Sequence, residues 1–192
     1  MWTLNAHDPS RTTPPSLFQR FVATPASLFL LVPFVLRNMP RQVATITRVV
    51  DALRAPADAD GAAGTGTGVE TKKIGFVGFC WGGRFAISEN HQFDTTVACH
   101  PSLVKFPQEL DGVRRPFSLA VAATDHDFDR ARAEETERIL KERGLSDVQV
   151  VVYEGVEHGW MIRGDMSNPT QKNARDQAVQ QVVGWFEKHL KT

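Results

Sequence analysis

The run Gly78-Phe79-Cys80-Trp81-Gly82-Gly83 constrains this chain more than any other part of it. It follows a short apolar stretch, Lys73 to Phe79 (KIGFVGF), and leads into a helical pattern that continues from Phe85 to Asn90. A strand that turns into a helix this sharply needs small residues two positions either side of the pivot, so that the two can approach closely. Gly78 and Gly82 occupy those places, with Cys80 as the pivot. Further strands are expected at Thr95 to Cys99, Phe117 to Ala123 (FSLAVAA) and Val148 to Tyr153 (VQVVVY). Residues 130–143 read as a charged helix with Glu134–Arg138 and Glu137–Lys141 pairs, stopped by Gly144. A closing helix carries the stripe Ala174, Ala178, Val182, Phe186 and Leu190. Apolar strands alternating with helices define an α/β fold, a parallel sheet flanked by helices.

The first forty residues follow other rules. Pro9, Pro14, Pro15, Pro25, Pro33 and Pro40 oppose long helices and central strands, so short helical pieces are expected there. From Pro40, the apolar residues Val43, Ile46, Val50 and Leu53 recur at spacings of three and four, which predicts one amphipathic helix ending near Arg54. Residues 55–71 (APADADGAAGTGTGVET) have no apolar face and read as a flexible surface loop within a single domain over 1–192. Leu28 to Leu36 (LFLLVPFVL) is broken by Pro33 and falls far short of the roughly 20 residues of a spanning helix. It reads instead as a cap or flap, and with no basic leader at Met1 a soluble cytoplasmic protein is expected. The 22 basic and 22 acidic residues give zero net charge, which argues against a nucleic-acid partner. Two cysteines form neither a disulfide framework nor a zinc site, and 6 scattered histidines show no ligand spacing, so neither metal nor cofactor is expected.

The pivot also carries chemistry. A cysteine at a helix N-terminus is where the macrodipole favours thiolate. A nucleophile held in such an elbow works with an acid and then a histidine, on loops after later strands. Asp125 lies just past FSLAVAA, in Ala123-Thr124-Asp125-His126-Asp127, and His158 lies past VQVVVY, in Gly155-Val156-Glu157-His158-Gly159-Trp160. Both leave the carboxyl end of a strand, the edge at which open α/β sheets place their sites. Asp127 and Asp129 compete with Asp125, which comes first after its strand. His126 and His100 read as surface or turn residues, and Cys99 as a packed small hydrophobe. Arg84 either steers an anionic substrate or faces solvent. Trp160 and Phe79 either line an apolar pocket or pack into the domain.

With these residues in place, the chain resembles the dienelactone hydrolases, cysteine members of the α/β-hydrolase superfamily. The likeness rests on the GFCWGG elbow, the Thr124-Asp125 pair, and the EHGW segment around His158 with Arg163-Gly164-Asp165 after it. His100-Pro101-Ser102 adds a likeness to fungal-type members, and the whole covers about residues 16–190. The resemblance implies hydrolysis of a small ester or lactone. Cys80 would attack the carbonyl, His158 would shuttle the proton, and Asp125 would hold its tautomer. Trp81, the residue after the nucleophile, would give one oxyanion-hole N–H. Arg163 would bind a substrate carboxylate through its guanidinium fork, or else be solvated.

The resemblance also implies three or four strands ahead of the elbow, with a loop that gives a second oxyanion N–H and a glutamate near the resting cysteine. The residues before Ile74 offer no strand-like run and nothing that maps onto either role. An N-terminally truncated sheet is therefore expected, with the elbow strand as an open edge through which a homodimer could form. Three functions follow for the chain: a cysteine hydrolase, a truncated non-catalytic relative acting as an interaction module, or a thiol-based redox sensor using Cys80.

Overall fold

The computed structural model describes residues 25–55 and 73–191. The chain divides into two compact units between Ile46 and Thr47. Helix α1 (Pro25–Arg54) begins in the first and ends in the second. From Pro25 onward it corrects the expectation of short pieces before Pro40, because one helix runs through both Pro33 and Pro40; the earlier part of that expectation lies outside the described residues. An interior proline removes one backbone hydrogen bond and crowds the preceding turn, which kinks a helix without necessarily ending it. The leucines and alanines around these prolines are strong helix formers. Its C-terminal end falls at Arg54, as the apolar spacing predicts. In its last turns, Thr47 donates to Gln92 Oε1 at 3.0 Å and Arg54 donates to the Gln92 carbonyl at 2.9 Å. No helix among the described residues is long and apolar enough to cross a membrane. The glycine-rich stretch after Ala55 lies outside the described residues.

Beyond it, four strands form one parallel sheet in the order β1 (Gly75–Phe79), β2 (Thr95–Cys99), β3 (Phe117–Ala122) and β4 (Val148–Tyr153). Helix α2 (Trp81–Ser88) follows β1, and α3 (Arg130–Glu142) follows β3. A four-residue helix, α4 (Trp160–Arg163), and the long α5 (Pro169–Leu190) complete the chain. The architecture is the expected one, a parallel sheet flanked by helices.

The strands read as continuous apolar runs because the sheet is covered on both faces, and their alternation sorts those residues into two cores. Ala98, Phe117, Leu119 and Val121 point to one face, where they meet Ala86 and Ile87 of α2 and Ala133 and Leu140 of α3. Val97, Cys99, Ala120 and Ala122 point to the other, against Ala174, Ala178 and Trp185 of α5. Val182 and Phe186 pack beside that second core, so the α5 stripe lies where its spacing puts it, and Trp185, which the stripe did not include, is buried there as well. The Trp185 indole N–H finds Thr95 Oγ1 at 2.7 Å, which removes the cost of burying it. On α3, Lys141 pairs with Glu137 as expected, but Arg138 bonds Glu135 and Glu142 rather than Glu134. Glu134 lies 3.8 Å from Arg130 instead. Gly144 ends the helix at φ +84°, a conformation that favours glycine.

Candidate functional site

The turn between β1 and α2 has the strain that its sequence calls for. Cys80 sits at φ 52°, ψ −120°, a backbone state that side-chain-bearing residues rarely adopt. Three backbone bonds hold it there. Its N–H donates to the Cys99 carbonyl at 3.1 Å, and its own carbonyl accepts from Gly83 and Ser102, each at 3.0 Å. Of the two glycines expected to allow close approach, only Gly78 is sterically required, since a Cβ there would overlap the Gly82 carbonyl. A Cβ at Gly82 would meet nothing within 4 Å, which corrects its assigned role. The second tight position is Gly83, where a Cβ would come within 2.9 Å of the Pro101 Cα.

Asp125 and His158 come from the loops after β3 and β4, and the structure brings them to Cys80. Nδ1 of His158 is 2.8 and 3.0 Å from the two Asp125 carboxylate oxygens, and Nε2 is 3.3 Å from the Cys80 sulfur. The His158 and Asp125 side chains are 5% and 0% exposed, so the chain of contacts is shielded from water. Asp125 also accepts from the Asp127 N–H at 2.9 Å and the Phe128 N–H at 3.3 Å. The competing carboxylates meet other groups: Asp127 Oδ2 lies 3.7 Å from His126, and Asp129 caps α3 by accepting from the Arg132 N–H.

Burial alone would push the Asp125 carboxyl up, but bonds from His158, Asp127 and Phe128 outweigh it and hold the group below the ordinary carboxylate range. Burial likewise works against a charged His158. The Asp125 and Cys80 contacts overcome it and raise the imidazole to about 9. For Cys80, burial raises the thiol, yet bonds from His158 and Ser102, the His158 charge and the Trp81 N–H together lower it. Both shifts favour the same charge state, thiolate beside imidazolium. Cys99, buried without such partners, is pushed up to about 12.

The remaining sequence candidates fall into different places. Trp81 directs its backbone N–H toward Cys80, while its ring meets Phe85 edge-on at 5.4 Å. Arg84 does not face solvent. It is 1% exposed and forms a forked ion pair with Glu109, with Nε at 2.8 and 3.0 Å from the two oxygens and Nη2 on Oε1 as well. A buried guanidinium needs such a partner, which corrects the reading of Arg84 as facing solvent. Phe79 packs beside the α5-side core, and Trp160 lies within it, 5.2 Å from the His100 ring. Arg163 is exposed at the end of α4, and its guanidinium lies across Gly159, which has φ +86°.

Three residues near the triplet were not assigned to it from sequence. Ser102 Oγ lies 3.2 Å from the Cys80 sulfur. His100, read as a surface or turn residue, stands in the bend after β2 but is 1% exposed, with its ring 5.2 Å from His158. His126 is exposed as expected, yet its ring also reaches His158 at 5.2 Å. Burial lowers His100 to about 4, with the His158 charge as the next contribution, so it stays neutral beside the imidazolium.

A parallel sheet, a strained cysteine at a strand-to-helix turn, and an acid and histidine from the next strand ends together define the α/β-hydrolase fold. Within that class the chain belongs to the dienelactone hydrolase family, whose model matches residues 39–190. It is 36% identical over 124 residues to the hydrolase tropI of Talaromyces stipitatus, covering 64% of this chain and 48% of that protein. The hydrolase pyvD of Aspergillus violaceofuscus is 32% identical over 122 residues, covering 62% and 49%. The chain thus spans about half the length of the curated relatives it matches. An esterase of Pyrococcus furiosus superposes with a TM-score of 0.55 at 14% identity, over 79% of this chain and 63% of that one, and shows the shared fold.

Proposed function

We propose that the chain is a cysteine-dependent hydrolase of small esters or lactones. The observation that supports this most is the unbroken line from Asp125 through His158 to the Cys80 sulfur, at 2.8 and 3.3 Å. In this reading the Cys80 thiolate attacks the substrate carbonyl carbon and forms a C–S bond, and the oxygen takes the negative charge. The Trp81 N–H stabilises that oxyanion. The intermediate collapses and breaks the C–O bond, and the leaving oxygen takes the proton from His158 Nε2. Neutral His158 then removes a proton from water, whose oxygen attacks the thioester and releases the acid. Asp125 keeps the proton on Nδ1 throughout and steadies the imidazolium whenever Nε2 is also protonated. Arg163, exposed beside the His158 loop, is where a substrate carboxylate would be received.

Turnover of p-nitrophenyl acetate tests the reading. We expect release of p-nitrophenol by the native chain and its loss, by about 10³-fold or more, in Cys80→Ala. Well-folded native protein with no turnover would favour a second reading, a non-catalytic relative acting as an interaction module. One observation favours that alternative: β1, which carries the elbow, has β2 on one side and no strand on the other among the described residues.

A further inference from the structure

Among the described residues the Cys80 sulfur has two side-chain partners, and one of them, His158, belongs to the machinery above. The second is Ser102, whose hydroxyl lies 3.2 Å away on the segment that follows β2. This contact is built into the backbone. His100 and Leu103 both take positive φ, 36° and 58°, although neither is glycine. Such residues hold that backbone state only where the surroundings fix them. Here the surroundings do so. The His100 N–H donates to the Ala120 carbonyl at 2.7 Å, the Ser102 N–H donates to the Cys80 carbonyl at 3.0 Å, and Pro101 fills the space left open by Gly83. The bend therefore returns the chain onto the elbow and presents a nearly buried hydroxyl, 5% exposed, to the sulfur.

We propose that Ser102 is a positioning residue for Cys80, whose hydroxyl donates to the sulfur and holds it as a thiolate facing His158. A thiol can donate only one hydrogen, whereas a thiolate can accept from both the Ser102 O–H and the His158 Nε2–H at once. The two donors come from the ends of different strands, β2 and β4, so together they fix the sulfur's direction as well as its charge. Among the described residues, the ionisable group facing the sulfur is His158, with Asp125 behind it and His100 neutral at its side. The proposal rests on Cys80 being the nucleophile and adds a second donor to that role.

The test is the pH dependence of Cys80 alkylation by iodoacetamide, read at the residue by mass spectrometry. It would be run on the native chain, Ser102→Ala and Ser102→Thr, with far-UV circular dichroism as the check on folding. Alanine removes one oxygen and keeps the backbone bond to Cys80, while threonine retains the hydroxyl. We expect the Ser102→Ala midpoint to rise by about one pH unit, a tenfold loss of thiolate on its acid side, and threonine to restore the native midpoint. A Ser102→Ala profile that superimposes on a low native profile overturns the Ser102 assignment and leaves the nucleophile reading intact. A shift that threonine fails to reverse assigns the effect to packing and also overturns it. An ordinary thiol profile in the native chain itself overturns both readings.

Discussion

The chain's two cysteines lie one strand apart and have opposite characters. Cys99 ends β2 opposite Phe79, and its carbonyl accepts the Cys80 N–H, so the two residues share a backbone bond. Yet Cys99 points into the α5-side core, is 0% exposed and is pushed up to about 12 by burial alone. Cys80 is turned out of the strand by its left-handed φ, is half-buried, and meets His158 and Ser102. Position in the sheet therefore does not decide reactivity. Burial opposes a thiolate at both sites, and only hydrogen-bond donors and a nearby cation reverse it.

The largest expected effect is selective alkylation. At pH 7, iodoacetamide followed by peptide mass spectrometry should modify Cys80 faster than Cys99 by at least about 10³-fold, since the thiolate is the reacting form. Comparable rates would erase the distinction. His158→Ala removes the donor and the cation together, and should slow labelling of Cys80 by about 10–100-fold while leaving Cys99 unchanged. In Asp125→Asn the imidazole loses the contact that holds it charged, so its proton should leave at lower pH and Cys80 labelling at neutral pH should fall by about tenfold.

The pH profile of ester turnover carries a sign from each group. Acylation needs a protonated His158 for the leaving oxygen, so the rate should fall as pH rises through about 9. It should also fall on the acid side, at a pH below the ordinary thiol range, where Cys80 takes up its proton. A rate that climbs steadily past pH 9 would mean that His158 does not supply the proton. The smallest effect is on stability. Cys99→Ser places a hydroxyl in the apolar core and should cost about 1–3 kcal/mol by urea denaturation, whereas Cys80→Ser, at a polar, half-buried turn, should cost less.

Much of this site is legible in sequence because its signals are local. The β2 and β4 boundaries follow from short apolar runs, and the order Cys80, Asp125, His158 follows from what stands just past each strand. The remainder depends on contacts between distant residues. Arg84 reads as either substrate-steering or solvated because nothing nearby in sequence pairs with it, and its partner Glu109 is reached only when the segment after β2 folds back. Ser102 and His100 are hidden for a related reason: two non-glycine residues at positive φ carry no local signal of the bend that buries them. Helix α1 runs through prolines that sequence rules treat as breakers, and Gly82 holds the place that the elbow pattern assigns while Gly83 meets the steric demand.

The covalent intermediate gives the most direct test of Cys80 as nucleophile. The native chain would be mixed with p-nitrophenyl acetate, quenched in acid within the first turnovers, digested and mapped by mass spectrometry. The mechanism predicts one acetyl group on Cys80 as a thioester, absent from Cys80→Ala and accumulating more slowly in His158→Ala. Turnover with the acetyl group on any other residue, or unchanged in Cys80→Ala, would contradict it.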